Sequence, residues 1–352
     1  MSLTFPELNH GPDLTRLLST ANRGGDPLVH AVRSIADATF TWDYAKGARP
    51  GLGKLYEKAK VTQWNATTDL PWDTDVDQEK LAAASLQQFS GAMTADGLDG
   101  TPFARWGDKE WIRFAIESEN WTLSQFLHGE QGALVCTAKL AETVPWIDAK
   151  LFASTQVMDE ARHVEVFGRY LDTKLSGHYP VNPHLGALLD DIIADRRWDM
   201  TYLGMQVMVE GLALAAFGLM RATTTEPLLE QLLRYVMADE ARHVAFGVLS
   251  LKELYAGLGG PEVRERQEFA YEAAIRMRDR FLQQEVWDRL GISAADAATF
   301  LEQDPLRPMF TVSLFSKIVP NLKKLGLLDA GDGWLRQRFG EIGALQFEDW
   351  DD

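Results

Sequence analysis

Asp159-Glu160-Ala161-Arg162-His163-Val164 recurs letter for letter as Asp239-Glu240-Ala241-Arg242-His243-Val244. Each copy holds a Glu-x-x-His pair. Thirty residues before each of these glutamates stands another, Glu130 before Glu160 and Glu210 before Glu240. Residues three apart on a helix share a face, so the Glu and His of each copy can aim at one ion. The midpoint between Glu130 and Glu160 is Pro145, and that between Glu210 and Glu240 is Thr225, inside the run TTTEP at 223–227. Both midpoints carry residues that interrupt helices. In an antiparallel hairpin, residues equidistant from the turn lie side by side, and an arm of this length spans about 22 Å at the α-helical rise. Every matched pair is offset by 80 residues. The pattern therefore predicts a doubled helical hairpin, an all-α four-helix bundle with four carboxylates and two imidazoles at one depth.

Working outward, the bundle helices are expected at 109–144, 146–174, 185–221 and 228–258, with Thr225 as an N-cap and Pro227 in the following first turn. Helices at 27–44, 51–64 and 77–93 precede them, separated by polar loops, and Trp64 and Trp72 read as packing anchors. Helices at 261–290, 292–303 and 309–327 follow, either covering the bundle or forming a subunit interface. The acidic end, 343–352, reads as a mobile tail. The whole chain is expected to be one domain, 1–352, with a core bundle at 109–258 and extensions at 1–108 and 259–352.

Composition narrows the function. The 352 residues include 51 acidic and 35 basic side chains, a net charge of −16, with no long basic run. That excludes a nucleic-acid-binding surface, which needs clustered Lys and Arg. Cys136 is the one cysteine, so no intrachain disulfide can form, and it reads as a core thiol. The N-terminus has no basic segment leading into an apolar one, and the most apolar run, 207–220, is too short for a bilayer. A cytoplasmic protein without membrane association is expected.

The six candidate ligands are Glu130, Glu160, His163, Glu210, Glu240 and His243. One glutamate from each of two helices plus Glu-x-x-His from each of two others is the donor set of di-iron and di-manganese carboxylate bundles. Oxygen and imidazole donors suit iron or manganese, so two iron ions are expected, with manganese or a mixed pair fitting the same set. A salt-bridged core is the alternative, but Glu210 within VMVEGLALAAFGL would be costly to bury without a cation or partner. Metal-bound histidines usually donate their other ring N–H to a carboxylate. Asp159 and Asp239 are placed to receive it from the opposite hairpin, with Arg162 and Arg242 balancing them. One turn from the ligands lie Phe126, Leu134, Gln156, Phe167, Gln206, Leu214 and Val236, which would give a mostly apolar substrate pocket or ordinary core packing. Among the remaining histidines only His184 is kept, as a candidate seventh ligand.

These motifs resemble the ferritin-like superfamily, above all its ribonucleotide-reductase-like branch with the bacterial multicomponent monooxygenase hydroxylases and the di-iron N-oxygenases. The Asp-Glu-x-Arg-His form at 159–163 and 239–243 and the GEQGA sequence around Glu130 carry the resemblance, which covers about 109–258. It implies dioxygen as co-substrate, oxidation or hydroxylation of a small organic molecule, and an electron donor such as a reductase or ferredoxin. A homodimer is expected. Departures are informative. A ribonucleotide reductase small subunit would place a radical tyrosine where this chain has Phe167 and an aspartate where it has Glu130. The hydroxylases commonly have threonine at the position of Leu214. A ferroxidase would use the same ligands, and a radical-carrying subunit is the third reading.

Overall fold

The computed structural model describes residues 34–38, 44–89, 98–304 and 307–349, and among these every regular element is helical. The helix expected at 27–44 falls mostly outside the described residues, as do His10, His30 and residues 350–352. Helices α1 (Pro50–Val61) and α2 (Gln78–Phe89) precede the bundle. The first hairpin is α3 (Asp108–Thr143) and α4 (Ile147–Lys174). Helix α5 (Pro183–Ala194) leads to the second hairpin, α6 (Trp198–Thr223) and α7 (Pro227–Tyr255). Six shorter helices follow: α8 (Gly260–Asp279), α9 (Gln284–Leu290), α10 (Ala294–Gln303), α11 (Arg307–Leu314), α12 (Ile318–Lys324) and α13 (Trp334–Glu341).

Both turns fall where the repeat spacing puts them. Val144, preceding Pro145, is extended with ψ 138°. Proline crowds the residue before it out of the α region, so α3 stops there. In the second turn the cap is Glu226, not Thr225. Its carboxylate accepts the backbone N–H groups of Leu228 (2.7 Å) and Leu229 (2.6 Å), and also the Tyr170 hydroxyl (2.9 Å). Pro227 occupies the first helical position, which makes the residue before it the cap.

The helix expected at 185–221 is two helices. Asp195 accepts the N–H of Arg197 (2.8 Å), a local turn that competes with helix continuation. Lys139 from α3 takes up freed carbonyls, donating to Ile193 (2.9 Å) and to Asp195. Within α6, Leu203–Val209 is a π-helical segment ending directly before Glu210. Across it α7 approaches so closely that a Cβ on Gly247 would stand 2.7 Å from the Gln206 Cβ. Gly247→Ala is accordingly expected to destabilise the fold by about 1–3 kcal/mol through overpacking, measurable by urea denaturation. Helix α6 is long and apolar, with mean hydropathy 1.6 in its best window, because it runs through the protein core: 67% of that window is buried.

The C-terminal expectations need correction. The helix expected at 261–290 breaks at Gln283, whose φ of 52° is left-handed. The Trp287 indole donates to the Leu282 carbonyl released there (2.7 Å). The segment 309–327 is two short helices, and α13 was not anticipated. The tail is packed as far as Glu348: Ala344 is fully buried, and Glu348 pairs with Arg336 at 2.5 Å. A continuous apolar core links Leu52 and Trp64 from the N-terminal segment, the bundle, and Phe315 and Phe339 from the C-terminal segment.

Candidate metal centre

All six expected ligand side chains meet in the middle of the bundle, each 5% exposed or less. Their donor atoms form two groups, Glu130, Glu160, His163 and Glu240 in one and Glu160, Glu210 and His243 in the other, each spanning no more than 4.8 Å. Glu160 belongs to both. The Nδ1 of His163 faces Glu240 at 3.0 Å, Glu130 at 3.2 Å and Glu160 at 3.4 Å. The Nδ1 of His243 faces Glu160 at 3.1 Å and Glu240 at 3.5 Å.

The other ring nitrogens point away, crosswise. His163 Nε2 meets Asp239 Oδ2 at 3.2 Å, and His243 Nε2 meets Asp159 Oδ2 at 3.3 Å. A carboxylate there holds the ring proton on Nε2 and leaves Nδ1 free to bind. Arg162 pairs with Asp159 and Arg242 with Asp239, with crossed contacts of 3.6 Å and 3.4 Å to the other aspartate. The two hairpins thus repeat one another's contacts almost as a twofold axis would. The symmetry is broken from outside: α1 and the loop after it supply Trp64, whose indole donates to Asp239 (2.7 Å), and Gln63, which donates to Asp159 (3.1 Å). Trp64 also stacks on Tyr235 at 4.9 Å, so it is a packing anchor with a polar duty.

Among the described residues several of these buried atoms have no hydrogen-bond partner: Glu160 Oε2, Glu210 Oε2, both Glu240 oxygens and His243 Nδ1. They lie close to other donors yet are misaligned for hydrogen bonding, because they converge on shared points. Such a set is costly without cations to coordinate. The protonation pattern agrees. Burial pushes Glu130 up to about 8, with His163 opposing and Glu240 adding. Burial likewise lifts Glu210 well above the carboxylate range, reinforced by Glu240 and Glu160. Burial acts on Glu160 too, but His243 and His163 outweigh it and hold that group low. Both imidazoles are raised against burial, His163 chiefly by Glu130 and His243 by Glu160 and Glu240. Burial and mutual repulsion thus disfavour the anionic form of Glu130 and Glu210, while the nearby carboxylates favour a positive charge at both imidazole positions, as cations bound there would supply it. The donor set fits two such ions.

A cavity of about 20 Å³ adjoins the cluster, room for roughly one water molecule. Glu130, Glu210 and Glu240 line it, with Phe126, Ala133, Val209, Ala213 and Phe217 as apolar wall and Arg280 as a cationic one. Of the seven expected pocket residues, only Phe126 is on this wall. Gln156 instead touches the cluster, donating to Glu160 (2.9 Å) and Glu210 (3.1 Å). Phe167 packs against Phe126 and Phe217, Val236 is in the core, and Leu134 and Leu214 are half-buried. Gln206 is fully buried, with neither amide atom hydrogen-bonded among the described residues. His184 sits at the start of α5, near Asp279 and Arg276 and outside the cluster. Cys136 is a buried thiol, pushed up to about 12 by burial. Gln63, the indole contact of Trp64 and Arg280 are what the sequence reading missed. No pattern in the sequence marks them, since they reach the site from segments without a motif.

No family model matches the sequence, and no curated protein does. Solved structures do. An R2-like ligand-binding oxidase with an aerobically reconstituted Mn/Fe cofactor superposes with a TM-score of 0.51 at 18% identity, over 82% of this chain and 98% of that one. A second structure of an R2-like ligand-binding oxidase, after photoconversion of its metal cofactor, gives 0.49 at 18% identity over 82% and 99%. At 18% identity the superposition at 0.51 speaks to architecture alone: this chain has the all-helical, ferritin-like fold of that R2-like ligand-binding oxidase.

Proposed function

We propose that the protein is a di-metal oxidase or oxygenase, holding two iron or manganese ions between α3, α4, α6 and α7 and using dioxygen to oxidise a small, largely apolar organic substrate. One observation carries this reading: two convergent donor groups share Glu160, and each histidine in them is fixed by an aspartate from the opposite hairpin. Glu130, Glu160, His163 and Glu240 would hold one ion, and Glu160, Glu210 and His243 the other. Two redox-active cations, when bound, supply the electrons that reduce dioxygen. The protein's own tasks are separable from that. Asp159 and Asp239 keep the ring protons off the binding nitrogens, and Gln156 orients Glu160 and Glu210. Phe126, Phe217 and Val209 give the adjoining space its apolar wall.

The water-sized cavity favours a second reading, a ferroxidase that needs no organic substrate. Arg280 on the cavity wall counts against it, since a buried guanidinium repels an entering ferrous ion. The test is metal analysis of the purified full chain together with oxygen uptake. About two iron or manganese ions per chain are expected, with uptake that is reductant-dependent and saturates without continued ferrous supply. Less than one ion per chain after loading with ferrous and manganous salts would overturn the proposal. Sustained turnover on ferrous iron alone would establish the ferroxidase instead.

A further inference from the structure

The two hairpins match position for position at an offset of 80, and beside the cluster they differ sharply at one place. On the first hairpin, one turn before Glu130 and one turn past His163, stand Phe126 and Phe167, whose ring centroids are 5.9 Å apart. Their counterparts on the second hairpin are Gln206 and Gly247. These two also meet, because a Cβ built on Gly247 would stand 2.7 Å from the Gln206 Cβ. Where the first hairpin fills this seam with two aromatic rings, the second leaves it to one amide. Gln206 lies midway along the π-helical segment Leu203–Val209 and is fully buried. Neither its Oε1 nor its Nε2 has a hydrogen-bond partner among the described residues. One turn earlier on α6, the buried Tyr202 hydroxyl faces Ser250 on α7, yet neither oxygen is in hydrogen-bonding geometry with any described residue. Further along α7 the Tyr255 hydroxyl is another buried atom without a partner. It faces the ion pair of Asp199 with Arg266 (2.8 Å), and Arg266 in turn holds the exposed carboxylate of Glu265 (2.7 Å). Burial pushes both phenols up, so both stay protonated.

A row of polar groups thus runs through the core between α6 and α7, from the turn before Glu210 to the surface. Buried polar atoms without partners are costly, and the first hairpin shows that apolar side chains can fill the equivalent seam. We propose that Gln206, Tyr202, Ser250 and Tyr255 form the route by which protons pass between solvent at Glu265 and the two-cation cluster, with the Gln206 amide as its inner end. The route rests on the oxidase reading for its purpose. Putting one atom of dioxygen into an organic molecule and releasing the other as water takes two electrons from a donor and two protons from solvent. Leu214 offers no hydroxyl on the other side of Glu210. Along the row each oxygen accepts a proton from one neighbour and gives up its own to the next, with water as the carrier across the gaps. The amide takes part in the same way, accepting at Oε1 and releasing from Nε2. Glu265 draws the replacement proton from solvent, so no group on the row changes charge over a cycle.

The experiment compares the full chain with Gln206→Leu, Gln206→Asn and Tyr202→Phe. Tyr170→Phe is the control, since Tyr170 is the first hairpin's counterpart of Ser250. Two rates are read. Loading metal-free protein with manganous ion under nitrogen displaces protons from the ligands, and an indicator dye times their release. Reductant-driven oxygen uptake by the metal-loaded protein is then followed in H2O and in D2O. Gln206→Leu is expected to slow both rates about ten-fold or more, with final metal content and the KM for dioxygen unchanged, and to be slowed further by D2O than the wild type is. Tyr202→Phe should slow both rates as well, Gln206→Asn should recover part of the loss, and Tyr170→Phe should leave both as they were. In urea, metal-free Gln206→Leu should be at least as stable as the wild type, because two unpartnered buried groups are gone; a glutamine kept only for packing would give the opposite. Wild-type rates in Gln206→Leu, a slowing matched by loss of bound metal, an unchanged D2O effect, or equal slowing by Tyr170→Phe would each overturn the route. Protein whose proton release depends on Gln206 but which consumes no oxygen would sink the oxidase reading alone, and protein that loads no metal would sink both.

Discussion

Glu160→Ala is expected to empty both cation positions, whereas Glu130→Ala and Glu210→Ala are each expected to weaken one. The difference follows from membership: Glu160 stands in both donor groups, and Glu130 and Glu210 in one each. One Glu160 oxygen lies 3.1 Å from the His243 Nδ1 and the other 3.4 Å from that of His163. Removing one partner from a buried charged site typically costs about 3–5 kcal/mol, roughly two to four powers of ten in affinity. For Glu160 that loss falls on both ions. The check is metal stoichiometry by mass spectrometry after loading and desalting, with circular dichroism confirming the helical fold. Equal retention in Glu160→Ala and Glu130→Ala would show that the carboxylate is not shared.

The second large effect concerns stability and can be read on metal-free protein. Asp239 is 1% exposed and serves four side chains at once: it accepts from Trp64 and His163, pairs with Arg242 and lies 3.6 Å from Arg162. Asp239→Ala would leave the Arg242 guanidinium, itself 3% exposed, with only the longer 3.4 Å contact to Asp159 as its carboxylate partner, and leave an indole N–H and an imidazole N–H unsatisfied. A loss of about 3–5 kcal/mol in urea unfolding is expected. Asp159→Ala should come close to it, because the contacts are reciprocal between hairpins, with Gln63 standing where Trp64 stands for Asp239. A change below about 1 kcal/mol for both would mean that α7 and α4 are held together by apolar packing alone.

How far the sequence could be read is visible in these same residues. The repeated hexamer, its two upstream glutamates and the two turn signals carry the hairpins, and with them all six cluster residues and the crossed aspartates. Those features are local or strictly periodic, and helices report such features well. The break at Asp195–Arg197 was missed because nothing in the apolar periodicity of 185–221 registers a turn that one aspartate makes with a backbone N–H two residues on. The cap at Glu226 was displaced by one residue because glutamate is an uncommon cap and threonine a common one. Trp64 looked like packing, which it is; only the fold brings its N–H to Asp239. Arg280 lies in a run of alternating arginines, IRMRDRF, where pairing partners cannot be told apart by sequence. The pocket residues were drawn from one turn beside each ligand, and the fold used most of them as core.

Each donor group draws on both hairpins, and each histidine is fixed by the aspartate of the other, with consequences for the order in which the chain folds. Pairing α3 with α4, or α6 with α7, closes a short loop and is kinetically early; docking one hairpin on the other joins positions 76 and 84 residues apart, as in His163–Asp239 and Asp159–His243, and comes late. Until that docking, each hairpin exposes an apolar face that would otherwise invite aggregation. Along that face run two glutamates, an aspartate, an arginine and a histidine. These charges are well solvated while the face is open, and they find their counterparts only on the matching hairpin in the matching register. The side chains that make the finished core expensive therefore protect the unfinished one, and they reject pairings that are apolar but wrong.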